Sequence, residues 1–266
     1  MTTAYADGKM LAEVSEGVGL ITFNQPEKRN AMSVAMWHGL SEILDAFAAD
    51  DATRTVVMTG AGTKAFVSGA DISQFESTRA DGDAQLEYDR LTGAGRAKLA
   101  AFHKPVIACI RGFCLGGGLG IAMQADLRIA GAGAQFGIPA AKLGIAYSYE
   151  MVDRLVSLVG QAHARMIIMS GDRLDAAEAQ RIGLVNKVVP DEDLTEAVLA
   201  LAKTISANAP LSLRATKLAV NAVMADESTR DRAAVDAAIL ACFDSADYRE
   251  GRTAFMEKRP AKWLGK

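Results

Sequence analysis

"PVIACIRGFCLGGGLGIAMQADLRIA", residues 105–130, carries the unit from which the rest of the chain can be read. Pro105 opens the apolar run "VIACI", which is too short for a helix and is closed by Arg111 and Gly112, so it predicts a buried strand. The triplet Gly116-Gly117-Gly118 predicts a tight turn with bare backbone. "LGIAMQAD" then predicts a short helix of small residues, and "LRIAGA" a second strand.

The same alternation extends to both sides. Upstream, "GVGLITF" (17–23) predicts a strand, "NQPEKRNAM" (24–32) a polar loop, and the stretch from Ser33 a helix with a serine cap and apolar residues at helical spacing. "TRTVVMTG" (53–60) predicts another strand. "AGTKAFVSGADIS" is a glycine-containing connection that leads into the polar segment "ESTRADGDAQ" (76–85). Downstream, "DAAEAQRIG" predicts a helix stopped by Gly183 and "LVNKVV" an extended segment. From Asp191 onward the pattern is helical, interrupted at Pro210. The class is therefore α/β, with a core over 1–190 and a helical C-terminal region over 191–266.

Composition narrows the function. The chain has 266 residues, half of them hydrophobic, enough for a full core. Lys and Arg number 29 against 32 Asp and Glu, for a net charge of −3, with no basic stripe of the kind that tracks nucleic acid. The three cysteines, Cys109, Cys114 and Cys242, form no paired framework, and the N-terminus has no signal-peptide layout. No apolar run is long enough to span a membrane. These features predict a soluble, cytoplasmic protein with reduced thiols. His38, His103 and His163 are scattered singly, so no metal site is expected.

Phosphate-binding loops are excluded by spacing. The pattern G-x-G-x-x-G fails because Ile121 or Met123 stands where the last glycine belongs, and "GAGTKAF" does not fit a Walker A loop. What remains for the glycine turn is a pair of backbone N–H groups, at a helix start and at a second glycine connection, "FVSGAD", converging on an oxygen that becomes negative in a reaction. Cys114 beside His103 is a weaker alternative, since a cysteine at a strand end is usually buried.

"NQPEKRNAM", "KAFVSGADI", "PVIACIRGFCLGGGLGIAMQADLRIA" and "AFMEKRPAKW" resemble, in this order and spacing, the enoyl-CoA hydratase/isomerase, or crotonase, superfamily over essentially the whole chain. The resemblance implies a spiral of ββα repeats with a helical C-terminal trimerisation region, assembled as a homotrimer or a dimer of trimers. It implies an acyl-CoA thioester substrate, with coenzyme A entering as part of that substrate and no other cofactor. It makes the backbone N–H groups of Ser68 and Gly117 an oxyanion hole for the thioester carbonyl. Lys28 and Arg29 match the basic segment that meets the nucleotide end of CoA, and Ala31, Asp71 and Ile72 match positions lining its path. Phe255 and Lys258 match a tail pair that reaches CoA from a neighbouring subunit.

The resemblance breaks where hydratases of the superfamily carry two glutamates. Those positions are Gly120 and Ala140 here, so hydration is not the expected strength of this site. The following stretch, "LGIAYSYEMVDRL" (143–155), supplies other polar groups. Tyr147 matches the active-site tyrosine of methylmalonyl-CoA decarboxylase, although the histidine preceding the Asp in that enzyme's "GHD" string is Ala70 here. Three expectations stay open: isomerisation or proton exchange with Glu150 as base, decarboxylation with Tyr147 as proton donor, and acyl-CoA binding without catalysis.

Overall fold

The computed structural model describes residues 1–71 and 82–266. Its strands fall into two sheets whose order explains the repeat. The first has seven strands: β1 (Thr3–Tyr5), β2 (Met10–Ser15), β3 (Val18–Phe23), β4 (Thr55–Gly60), β6 (Val106–Ile110), β8 (Leu127–Gly131) and β11 (Lys187–Val189), side by side in that order. The second has four, in the order β10 (Leu174–Asp175), β9 (Gln135–Gly137), β7 (Phe113–Leu115) and β5 (Ala65–Val67). β3, β4, β6, β8 and β11 run parallel, as do β5, β7 and β9. Three successive repeats thus place a strand of the first sheet (β4, β6 or β8) and a three-residue strand of the second (β5, β7 or β9) before a helix. This is the ββα spiral of the crotonase fold.

The helices follow from the same logic. α1 (Val34–Ala49) starts at Ser33, whose side chain accepts from the Met36 N–H, and it buries Met36, Trp37, Leu40, Ile43, Leu44 and Phe47. α2 (Gly82–Ala100) packs along α1. α3 (Gly117–Gln124) is almost wholly buried beneath α4 (Tyr149–Ser170), which is kinked at Gly160. α5 (Ala176–Arg181) is capped by Asp175 and ends just before Gly183, which adopts a φ of +83°.

Beyond residue 190 the chain is helical, but its first helix belongs to the core by packing. α6 (Leu194–Ser206) lays Leu194, Val198 and Ala202 against Val18, Val57, Ile107 and Ile129 on the outer face of the seven-stranded sheet. The helices that stand apart are α7 (Pro210–Met224), α8 (Arg232–Asp244) and α9 (Ala246–Glu257), which bury few side chains within the chain. No helix among the described residues is long and apolar enough to cross a membrane.

Candidate active site

A cavity of about 580 Å³ opens where the starts of three repeats meet. Its walls come from the β5 exit (Ser68, Gly69, Ala70), the α3 start (Gly116, Gly117), the loop before α4 (Pro139, Ala140, Leu143 to Ser148), and Trp37, Asp89 and Arg96 of α1 and α2. Glycine is required at the α3 start for separate reasons. Gly116 holds φ +50° and ψ −120°, a conformation that L side chains rarely adopt. A β-carbon on Gly118 would run into the backbone carbonyl of Val67. A β-carbon on Gly117 would meet only ordinary contacts, 3.8 Å from the Ala70 nitrogen, so the space it would fill lies on the cavity side.

That last distance brings Ala70 next to the Gly117 turn, whereas the N–H expected to act at Ser68 is engaged elsewhere. The Ser68 N–H donates to the Arg29 carbonyl at 3.1 Å, and the Asp71 N–H to the Met32 carbonyl at 2.9 Å. Both serve the bridge that ties this turn to the loop after β3. Gly69, at φ +121°, turns the chain between them, and the Ala70 N–H has no acceptor among the described residues. The Gly117 N–H, first in its helix, has no acceptor among them either. The two open N–H groups that converge are those of Ala70 and Gly117, with the positive end of the α3 dipole behind one of them.

The missing glutamate at position 120 has left no room behind. A β-carbon there would collide with the end of the Met151 side chain and stand 3.2 Å from the Tyr147 hydroxyl. Tyr147 donates to the Gly116 carbonyl at 3.0 Å, and burial pushes its phenol well above the usual tyrosine range. Ala140, at the second glutamate position, lies in the cavity wall and contributes no polar side chain.

The other expected residues are distributed differently. Glu150 is exposed in the first turn of α4 and is not part of the cavity wall, so the role of base expected for it has no geometric support. Its position is that of a helix-start acid facing solvent. Lys28 is paired with Asp71 at 2.8 Å, and the Asp71 carboxylate is buried. Arg29 is exposed and lies over the Phe113 ring, 5.2 Å from its centroid. Ala31 is buried, while its neighbour Met32 reaches the wall. Phe255 and Lys258 stand exposed at the end of α9, outside this cavity. Ile72 lies outside the described residues. Cys114 is fully buried with its thiol pushed far up by burial, and His103 lines a different pocket, so these two do not form a nucleophile and base.

The loop that carries Lys28 and Arg29 is held by Asn30. This fully buried residue takes φ +57°, donates to the carbonyls of Ala61 and Ala65 at 3.0 and 2.8 Å, and accepts from the Gln25 N–H at 2.9 Å. Asparagine tolerates this backbone better than most residues. Asn30→Ala strands three buried polar partners and is expected to lower stability by about 3 kcal/mol in urea unfolding. A loss below about 1 kcal/mol would show that the loop is held by other contacts.

With the geometry in place, comparison with known proteins fixes the class. The family model for enoyl-CoA hydratase/isomerase matches residues 13–266. A crotonyl-CoA hydratase of Syntrophomonas wolfei is 36% identical over 257 residues, covering 97% of this chain and 98% of that one. A short-chain-enoyl-CoA hydratase of Clostridium acetobutylicum is 36% identical over 251 residues, covering 94% and 95%. Among solved structures, an enoyl-CoA hydratase/carnithine racemase from Magnetospirillum magneticum superposes with a TM-score of 0.92 at 34% identity, over 97% of this chain and 96% of that one. The chain belongs to the enoyl-CoA hydratase/isomerase family.

Proposed function

We propose that this protein is an acyl-CoA enzyme that forms and protonates a thioester enolate, with the thioester carbonyl between the N–H groups of Ala70 and Gly117 and Tyr147 as the proton donor. The observation that carries this reading is at Gly120: where a glutamate side chain would start, the Tyr147 hydroxyl and the Met151 side chain already stand. Charge moving onto the thioester oxygen is met by two fixed N–H dipoles that need no reorganisation, each worth about 10²- to 10³-fold in comparable sites. The phenol keeps its proton through the neutral range and offers it to the α-carbon of the enolate. Water addition has no carboxylate pair at positions 120 and 140 to activate it.

Decarboxylation is the route to that enolate which needs no base. Loss of carbon dioxide from a β-carboxyacyl thioester leaves the electron pair as an enolate without any base, so a hole and a proton donor suffice. Coenzyme A enters as part of the substrate, with no separate cofactor. Its nucleotide end lies toward Arg29 and Lys28, and Phe255 and Lys258 reach it from a neighbouring subunit. The exposed apolar side chains Val220, Val223, Ile239, Leu240 and Phe243 on α7 and α8 suit burial in a homotrimer or a dimer of trimers.

Mass spectrometry of crotonyl-CoA and methylmalonyl-CoA incubated with the protein in heavy water tests the reading. The expected result is loss of carbon dioxide from the second ester with uptake of one deuterium at its α-carbon, and little hydration of the first. Rapid hydration would overturn the argument from Gly120 and Ala140, and unchanged masses of bound esters would favour an acyl-CoA binding protein. Glu150→Gln is expected to change the rate by less than about twofold, as for a solvated surface carboxylate; a loss of 10²-fold would return it to the site.

A further inference from the structure

Two charged side chains in the cavity wall have no part in the chemistry above. Asp89 and Arg96 lie on α2, two turns apart on one face, and both line the cavity that Tyr147 also lines. Asp89 is held by the Gln85 side-chain amide at 2.8 Å. Arg96 lies 5.6 Å from the centroid of the Trp37 ring, which fixes the plane of its guanidinium. Its contacts to Asp89 are long, 3.3 Å to the carboxylate and 3.4 Å to the backbone carbonyl, and both use the same terminal nitrogen, Nη2. Nε and Nη1 donate to nothing among the described residues. The side chain is 27% exposed, and neither of these donors is itself buried, so both stay open to an incoming group.

A half-buried guanidinium with an open edge, in a cavity otherwise lined largely by apolar groups and backbone, is matched by a planar anion that accepts two parallel hydrogen bonds. We infer that the acyl group taken by this site carries a second carboxylate, and that Arg96 recognises it. The inference rests on the thioester reading above and adds the class of acyl group: the CoA monothioester of a dicarboxylic acid. Asp89 steadies the guanidinium from the outer side and, as a like charge near the incoming carboxylate, moderates its affinity.

Two saturated thioesters of equal size separate the possibilities without requiring turnover. Glutaryl-CoA ends in a carboxylate, and 5-methylhexanoyl-CoA carries an isopropyl group of the same shape in its place. Calorimetric titration of the wild-type protein is expected to favour glutaryl-CoA by at least about tenfold. Arg96→Met should abolish that preference, Arg96→Lys should keep part of it, and Asp89→Asn should enlarge it a few-fold. The ratio of the two affinities is the readout, so a general weakening from local disorder cancels. Equal or tighter binding of the apolar ester by the wild type, or a ratio untouched by Arg96→Met, would overturn the inference while leaving the thioester site intact. Failure of both esters to bind would remove the thioester reading and this inference with it.

Discussion

Gly117→Ala is expected to fold with unchanged stability and to lose at least about 10²-fold in thioester turnover, whereas Gly118→Ala, one residue on, is expected to lose about 3 kcal/mol or more of stability. At Gly117 the new methyl meets nothing closer than 3.8 Å, and alanine is the better helix former, so the fold has no reason to suffer. That methyl, however, occupies the space between the two open N–H groups, where the thioester oxygen has to lie. At Gly118 the obstacle is backbone. Even beyond the carbonyl oxygen, the Val67 carbonyl carbon would be 2.7 Å and its β-carbon 2.8 Å from the added atom, and Val67 is fully buried in the strand paired with β7. No rotamer change relieves that overlap, so β5 and α3 must part. Denaturant unfolding and steady-state turnover on both variants check the pair. A stable, active Gly117→Ala enzyme would place the thioester elsewhere.

β3, β4, β6, β8, α1 and the helical tail were legible because each carries enough residues to show a pattern, whereas the six-residue β2 was not foreseen. β5, β7 and β9 have three residues apiece, too few for alternation to register; β5 and β7 were absorbed into what looked like glycine connections, and β9 carried no signal of its own. α2 was missed for a different reason. Gly93 and Gly95 lower its propensity and charged residues blur its apolar face, yet Gly95 is required there, since a β-carbon would stand 3.0 Å from the Trp37 carbonyl oxygen and 3.1 Å from its ring. With α2 went Asp89 and Arg96, whose seven-residue separation was the available sign that they share a helix face.

The proposed oxyanion donors show a deeper limit. A backbone N–H has the same chemistry at Ser68 and at Ala70, so composition cannot distinguish them. The choice is made by Gly69, whose φ of +121° leaves one N–H facing the neighbouring loop and the other open. Glu150 shows the opposite case: a polar side chain in a suggestive place stands exposed and outside the cavity wall, through a helix phase that a short polar segment does not disclose.

Tyr147→Phe tests the remaining step and carries the other large expected effect. Removing the hydroxyl deletes one hydrogen bond, to the Gly116 carbonyl, and leaves the ring to pack as before, so stability should change by no more than about 1 kcal/mol. Turnover should fall by about 10²- to 10⁴-fold, the range for loss of a positioned proton donor. Because burial raises the phenol pKa, Tyr147 stays protonated at every pH below the ordinary tyrosine range and adds no break to the rate profile there. Raised in the native state, that pKa also makes the folded form lose stability relative to the unfolded chain as pH climbs past the usual tyrosine value, since only the unfolded phenol then ionises. The phenylalanine variant should lack that alkaline component while keeping its affinity for a saturated acyl-CoA. If its turnover instead stays within about threefold of wild type in heavy water, the proton reaches the enolate by another route. Asp89, the carboxylate among the described residues of the cavity wall, would then be the group to replace next.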